Sequence, residues 1–308
     1  MNLKGRDFIS LMDFSTQELS YLLDLASEIK AKTKSGVLEP VLKDKNLVLI
    51  FSKPSLRTRV SFETGMRQLG GNSLTLKQDE INLGVRETIA DTARVLSRYA
   101  DCVMIRTFAH SDVEEFAKYA SVPTINGLTD DSHPCQIMAD LLTIKEHFKK
   151  LKGLKLVYSG DGNNVANSLL VGCALMGLDV TIACPKGYEP MEKYVEFAKN
   201  AALKTGSKVS IEYDSKKAVE GANIIYTDVW ASMGQESEAS MRKEIFKSYQ
   251  VNDELCSCAS DDVIVLHCLP AHREEEITHS VLEKNAEVIF EQAENRMHAQ
   301  KAIMAAIV

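Results

Sequence analysis

The sequence predicts an α/β fold: two Rossmann-like domains, each with a central parallel sheet flanked by helices, joined by interdomain helices. Three observations lead there. The chain has 308 residues, roughly twice the ~150 that a typical domain uses. Short apolar runs suited to buried strands alternate with stretches of helical periodicity, the pattern of parallel sheets crossed over by helices. That rhythm stops at the basic turn "KKLKG", residues 149–153, and then begins again. The expected domains are 1–147, with a terminal helix 293–308 packing back onto it, and 148–292.

Taken in order, the first element is a helix. In "DFSTQEL", Ser15 and Glu18 stand three apart as a capping box requires, ahead of Leu19, Leu22, Leu23 and Ile29 at helical spacing. Strand-like "NLVLIF" precedes helix-like "SFETGMRQL", and "SLTL" precedes "RETIADTARVLSRY". "CVMIR" leads to "SDVEEFAKYA", and "VPTING" to the long helix "CQIMADLLTIKEHF". In the second half "LKLVYSG" is followed by the helix "NVANSLLVGCALMG", and "DVTIACP" by "MEKYVEFAKNAALKTG". Then come "KVSIEY", a short helix near 215–220, "NIIYTDVW", "VIVLHCLP" and "EVIFEQ", the last predicted as one more strand. The amphipathic "NRMHAQKAIMAAIV" closes the chain as a helix.

Composition narrows the function. With 45% hydrophobic and 26% charged residues the chain should fold compactly. A net charge of -7 argues against a nucleic-acid binder, which needs a broad positive field. The 7 cysteines, scattered from Cys102 to Cys268, lack the even spacing of a disulfide framework and point to a reducing compartment. "CSC" at 256–258 has no second pair or neighbouring histidine, so no metal is expected. The start "MNLKGRDFIS" has no signal-peptide core, and no stretch approaches the ~20 apolar residues that span a bilayer. A cytoplasmic protein with no membrane partner is the expectation.

Chemistry concentrates where strands end. In open parallel sheets, ligands bind outside the carboxyl ends of the strands, at helix N-termini with unpaired N–H groups. "FSKPSLRTRVSFE" delivers Ser55, Leu56, Arg57 and Thr58 to such a point, a set of amides, hydroxyls and a guanidinium fork that suits a phosphate. Arg59 reads as structural, four residues before Glu63. Arg106 ends an apolar strand, where it needs an anion or carboxylate to offset desolvation. His133 and Gln136 open the helix after "DDS".

In the second half "YSGDGNNVANSLL" has Gly160 and Gly162 but Val165 where a dinucleotide fingerprint needs a third glycine, so no nicotinamide cofactor is expected. Asn163 and Asn164 instead offer amides suited to an amino-acid backbone. "TDVWASMGQESE" supplies Asp228, Ser232 and Met233 with Glu236 and Glu238 beyond, an environment for a cationic substrate end. "VLHCLPAHR" places His267, Cys268, Leu269 and His272 at another strand end; a polar sulfur and a backbone carbonyl there can meet a substrate.

These motifs, "SLRTR", "HPCQ", "GDGNN", "DVWASMG" and "HCLPAHR", occur in the order found in the aspartate/ornithine carbamoyltransferase family, which the chain resembles from about residue 5 to its end. The resemblance implies carbamoyl transfer from carbamoyl phosphate to the δ-amine of L-ornithine, by a homotrimer or multiple of trimers with no cofactor. It implies that Ser55, Leu56, Arg57 and Thr58 hold the phosphate, that Arg106, His133 and Gln136 grip the carbamoyl group, and that Arg296 reaches carbamoyl phosphate from the last helix. Asn82 is implied as a side chain reaching a neighbouring subunit's phosphate site. Asn164, Asp228, Ser232 and Met233 are implied at ornithine, with Cys268 and the Leu269 carbonyl at the reacting centre beside Arg57, Arg106 and His133. Leu56 departs from the family's usual threonine, removing one hydroxyl from the phosphate loop while keeping its N–H.

Overall fold

Every strand pairing in the two sheets is parallel. The structure, a computed structural model, describes residues 1–232 and 234–308. The chain divides into one unit of Met1–Leu142 with Asn295–Val308 and another of Thr143–Glu294.

The first unit carries β1 (Asn46–Phe51), β2 (Asn72–Lys77), β3 (Cys102–Arg106) and β4 (Thr124–Leu128) in the order β2-β1-β3-β4. Leu47 to Phe51 are all buried, as the unbroken apolar run of a strand covered on both faces requires. Its helices are α1 (Thr16–Lys34), α2 (Leu56–Gln68), the short α3 (Gln78–Ile81), α4 (Ile89–Leu96), α5 (His110–Tyr119) and most of α6 (Pro134–Phe148). The capping box of α1 is formed: Ser15 N donates to Glu18 Oε2 at 2.7 Å, and Glu18 N donates to Ser15 Oγ at 3.3 Å. It launches a helix whose Leu19, Leu22, Leu23 and Ala26 are buried. α4 starts later than "RETIADTARVLSRY" suggests, because Thr88 caps it by accepting from Asp91 N at 3.1 Å.

The second unit carries β5 (Lys155–Ser159), β6 (Asp179–Ala183), β7 (Val209–Glu212), β8 (Ile224–Thr227) and β9 (Ile264–His267) in the order β7-β6-β5-β8-β9. Its helices are α7 (Asn164–Met176), α8 (Glu192–Thr205), α9 (Ser215–Val219), α10 (Ala239–Phe246), α11 (Asp253–Cys256) and α12 (His279–Lys284). Every residue of α7 from Val165 to Leu175 is buried, which explains a helix apolar nearly all round. Among the described residues, no helix is long and apolar enough to cross a membrane.

"EVIFEQ" is not a strand. Residues Ala286–Ile307 form one helix of 22 residues, α13. The apolar run Val288, Ile289, Phe290 imitates a strand over a short window, yet no glycine or proline interrupts the sequence beyond it. Burial follows helical spacing instead: Ile289, Gln292, Arg296, Ala299 and Ile303 are buried while Phe290 is 57% exposed.

Strand order fixes where each unit can bind a ligand. In the first, the chain steps from β1 outward to β2 and then crosses to β3 on the other side; in the second it reverses between β5 and β8. The carboxyl ends flanking such a reversal leave a crevice that no crossover fills. The loops there carry Ser55–Thr58 and Arg106 in the first unit, and Gly160–Asn163 and Asp228 in the second.

Candidate active site

Ser55 is the N-cap of α2, accepting from Thr58 N at 3.2 Å and donating to Thr58 Oγ1 at 3.1 Å. The following amides, those of Leu56 and Arg57, lie at a helix start, where N–H groups have no intrahelical acceptor. The Leu56 side chain is 76% exposed, so only its backbone can serve this turn. Thr58 is fully buried and also accepts from Arg296 Nη2 of α13 at 2.8 Å. Arg59 pairs with Glu63 at 2.9 Å and belongs to the helix surface.

Arg106, at the end of β3, and His133, just before α6, are both buried. Burial first, then the positive charges of Arg296 and Arg106, hold His133 well below the usual histidine range. It is a neutral imidazole that can donate one hydrogen bond without carrying charge. Gln136 Nε2 donates to Asp140 Oδ1 at 2.8 Å, and its buried Oε1 has no partner among the described residues. An acceptor is thus kept for an N–H that the chain does not supply. Asn82 stands apart from this cluster: it is exposed at the left-handed C-cap of α3, with φ 46°.

Sequence reasoning missed Lys53. Its side chain is 4% exposed, pairs with Asp130, and lies 4.2 Å from the centre of the Phe108 ring. It ties together the loops that follow β1, β3 and β4. A charge two residues before a polar loop reads as surface in sequence, so only the packing identifies it.

In the second unit Asp228 follows β8 and is 7% exposed. Its Oδ2 accepts from Asn163 Nδ2 at 2.9 Å; its Oδ1 accepts from Val229 N at 2.8 Å and from Cys268 Sγ at 3.0 Å. Asn163 also caps α7, accepting from Val165 N at 2.9 Å and Ala166 N at 3.2 Å. Asn163, rather than Asn164, is therefore the asparagine bonded to Asp228. Asn164 is the half-buried first residue of α7. Ser232 N donates to Gln235 Oε1 at 3.0 Å, and Gln235 N returns a bond to Ser232 O at 2.9 Å, in the loop that follows β8. Met233 lies outside the described residues.

Arg242, also missed from sequence, anchors that loop from behind. Nη1 donates to Asp161 Oδ2 at 2.9 Å and to Trp230 O at 3.0 Å, while Nε donates to Glu238 Oε2 at 2.9 Å.

Leu269 follows Cys268 in the left-handed region at φ 58°, costly for a branched side chain. A buried pair holds it there. Leu269 N donates to His267 Nδ1 at 2.8 Å, which places the ring hydrogen on Nε2, and that atom meets Glu276 Oε1 at 3.0 Å. Glu276, invisible in sequence nine residues on, also accepts from His272 N at 2.6 Å. Asp228, His267 and Cys268 offer three donor atoms within 4.8 Å of one another. Both nitrogens of His267 are already committed to the turn, which fits an amine-orienting role better than an ion.

Comparison with known proteins gives this arrangement a context. The family described as aspartate/ornithine carbamoyltransferase, carbamoyl-P binding domain, matches residues 6–146. The one described as aspartate/ornithine carbamoyltransferase, Asp/Orn binding domain, matches residues 152–307. Ornithine carbamoyltransferase of Geobacillus stearothermophilus is 58% identical over 307 residues, covering 100% of this chain and 98% of the relative. That of Thermococcus kodakarensis is 52% identical over 307 residues, again 100% and 98%. The solved ornithine carbamoyltransferase from Pyrococcus furiosus superposes with a TM-score of 0.97 at 50% identity, covering 100% of this chain and 98% of that one. With both halves matched and more than half of its residues shared with relatives over its whole length, the chain belongs to the aspartate/ornithine carbamoyltransferase family.

Proposed function

We propose that the protein transfers the carbamoyl group of carbamoyl phosphate to the δ-amine of L-ornithine, giving L-citrulline and phosphate. The observation that carries the choice of acceptor is Asp228, bonded to Cys268 at 3.0 Å at the second unit's strand ends. A carboxylate there favours a cationic amine, whereas the dicarboxylate aspartate would meet like charge. The relatives sharing 50 to 58% of the sequence, named ornithine carbamoyltransferases, support the same reading.

In this reading Ser55, Leu56, Arg57, Thr58 and Arg296 hold the phosphate group. Arg106 and neutral His133 donate to the carbamoyl oxygen, and Gln136 Oε1 accepts from the carbamoyl NH2. The amine, with a reference pKa of ~10.4, arrives protonated at neutral pH and must lose that proton before attack. That first proton passes to solvent; Asp228 and Cys268 orient the neutral amine, and the second proton, released from nitrogen once the C–N bond has formed, goes to the departing phosphate. As nitrogen bonds to the carbamoyl carbon, charge grows on the carbamoyl oxygen, where positioned donors are worth ~2.7 to 4 kcal/mol each. Collapse of the tetrahedral species expels phosphate. Asn164, Ser232 and Met233 complete the ornithine side, the Leu269 carbonyl stands at the reacting centre with Cys268, and no cofactor takes part.

The reading extends to a homotrimer, or multiple of trimers, working in the cytoplasm in arginine biosynthesis. In support of assembly, Leu56 is 76%, Val60 50%, Leu74 59% and Val85 82% exposed, all on α2, the edge strand β2 or the loop after α3. Exposed apolar side chains grouped on neighbouring segments mark interaction surfaces, and Asn82 lies among them. The test is citrulline formation by purified protein, with aspartate and putrescine assayed in parallel and mass in solution measured by light scattering. Carbamoylation of aspartate in preference to ornithine overturns the assignment.

A further inference from the structure

Lys301 of α13, within the first unit, is 2% exposed. Its Nζ donates to Thr33 Oγ1 and Gln68 Oε1, both at 2.8 Å. Both acceptors are neutral, and among the described residues no carboxylate pairs with this ammonium. A lysine has three N–H donors and a full charge. One donor and the charge are therefore uncompensated in the interior, where a lone ion is costly. Burial alone accordingly pushes the group down to about 8.

Thr33, Gln68 and Lys301 line a cavity of about 60 Å³, with Leu25, Ile29, Val41 and Leu69 among its other walls. A site needs only ~10 to 15 Å³ by this measure to hold a water, so there is room for a molecule of several heavy atoms. The rim is different in character. Lys32 is already paired with Glu28 at 2.6 Å and Glu39 at 2.8 Å, leaving one net negative charge there. That rim disfavours phosphate and dicarboxylates, while the apolar walls offer nothing to a polyanion's remaining oxygens.

We propose that this cavity binds a small organic monocarboxylate, one oxygen accepting the third Nζ–H of Lys301 and the short alkyl chain lying against Leu25, Ile29, Val41 and Leu69. The ligand would supply the countercharge that the chain omits.

Isothermal titration of butyrate into the full-length protein, with butyramide as its uncharged counterpart, tests this. Saturable one-to-one butyrate binding is expected, with butyramide at least tenfold weaker. Lys301→Met should weaken butyrate at least tenfold, and so should Val41→Trp, which fills the cavity from a position 57% exposed. Absence of saturable butyrate binding overturns the proposal, as does equal binding of butyramide or unchanged binding to Val41→Trp. If circular dichroism shows Lys301→Met unfolded, the butyramide comparison and Val41→Trp decide without it.

Discussion

Arg296 Nη2 donates a 2.8 Å hydrogen bond to Thr58 Oγ1, joining two buried residues 238 positions apart. Thr58 Oγ1 also accepts from Ser55 Oγ at 3.1 Å. With both lone-pair directions engaged, the hydroxyl's own hydrogen is the one function left to it, and a phosphate oxygen is an acceptor suited to receive it. The guanidinium thereby orients a donor on another segment as well as supplying charge.

Thr58→Val keeps the shape and removes the hydroxyl. A hydrogen bond to a charged group is worth about 1.5 to 3 kcal/mol, so kcat/KM for carbamoyl phosphate should fall roughly 10- to 150-fold. The KM for ornithine should stay within about threefold, since the change lies in the first unit's half of the chemistry. Steady-state kinetics with each substrate varied checks both. An unchanged carbamoyl phosphate term removes Thr58 from the phosphate site.

Asp228 and Cys268 are bonded to each other but should not matter equally. Asp228→Asn turns an acceptor of three bonds, from Asn163, Val229 and Cys268, into a group whose NH2 opposes other donors, and it removes the charge proposed to face the amine. A loss of at least 100-fold in kcat/KM for ornithine is expected, comparable to removing one positioned electrostatic group. Cys268→Ala removes one weak thiol donor to that carboxylate, worth about 1 kcal/mol, and should cost roughly fivefold. Equal losses in the two variants would show that the sulfur does more than orient.

The sequence disclosed what depends on local pattern. Apolar runs marked all nine strands, most plainly β1, β3, β8 and β9, whose burial on both faces leaves the run uninterrupted, and Ser15 announced α1 through its own cap. "EVIFEQ" failed for the same reason: six residues of β-like composition carry no information about the fifteen that follow them in one helix. At the site, residues lying on strand ends were legible, but residues that act through others were not. Glu276, Lys53 and Arg242 hold strand-end turns from positions whose relation to those turns exists only once the chain has folded. Asn163 was visible, yet nothing in "GDGNN" distinguishes it from Asn164 until one of them caps a helix and meets Asp228.

Asp161 provides a pH signature. Burial, only partly offset by its bond to Arg242, raises its carboxyl to about 6. The folded state then holds a proton that the unfolded chain, near the ordinary 3.8, has already released. Between these values the native state binds more protons, so this group's contribution to stability is present at low pH and is lost as pH rises through about 6. Burial raises Glu63 and Asp101, but their partners together (Thr75 and Arg59 for the first, Lys45 and the Asn46 N–H for the second) lower both, so these groups act in the opposite direction in any variant. The urea midpoint of wild type, taken relative to that of Asp161→Asn, should therefore fall as pH is raised from about 4 to about 6. A difference independent of pH sinks the argument.

Two glycines separate steric need from mere tight packing. At Gly162 an added Cβ would lie 2.3 Å from Pro190 N, 2.4 Å from Glu189 C and 2.5 Å from Tyr188 O, all backbone atoms. At Gly127 it would meet Met104 Sδ at 2.2 Å, equally close but at the flexible end of a side chain. Neither position has a left-handed φ, so the comparison isolates contact from conformation. A thioether can rotate away, and overpacking of that kind costs about 1 to 3 kcal/mol. A backbone segment cannot move without breaking its own bonds: Gly162 N donates to Tyr188 O at 2.8 Å, and displacing one displaces both. Gly162→Ala should destabilise the protein more than Gly127→Ala. It should also shift Asn163, the adjacent residue that holds Asp228 at 2.9 Å, raising the KM for ornithine in whatever fraction folds. Urea titration ranks the two variants, and a Gly162→Ala protein with wild-type stability and ornithine KM would mean that this turn tolerates a separation the geometry forbids.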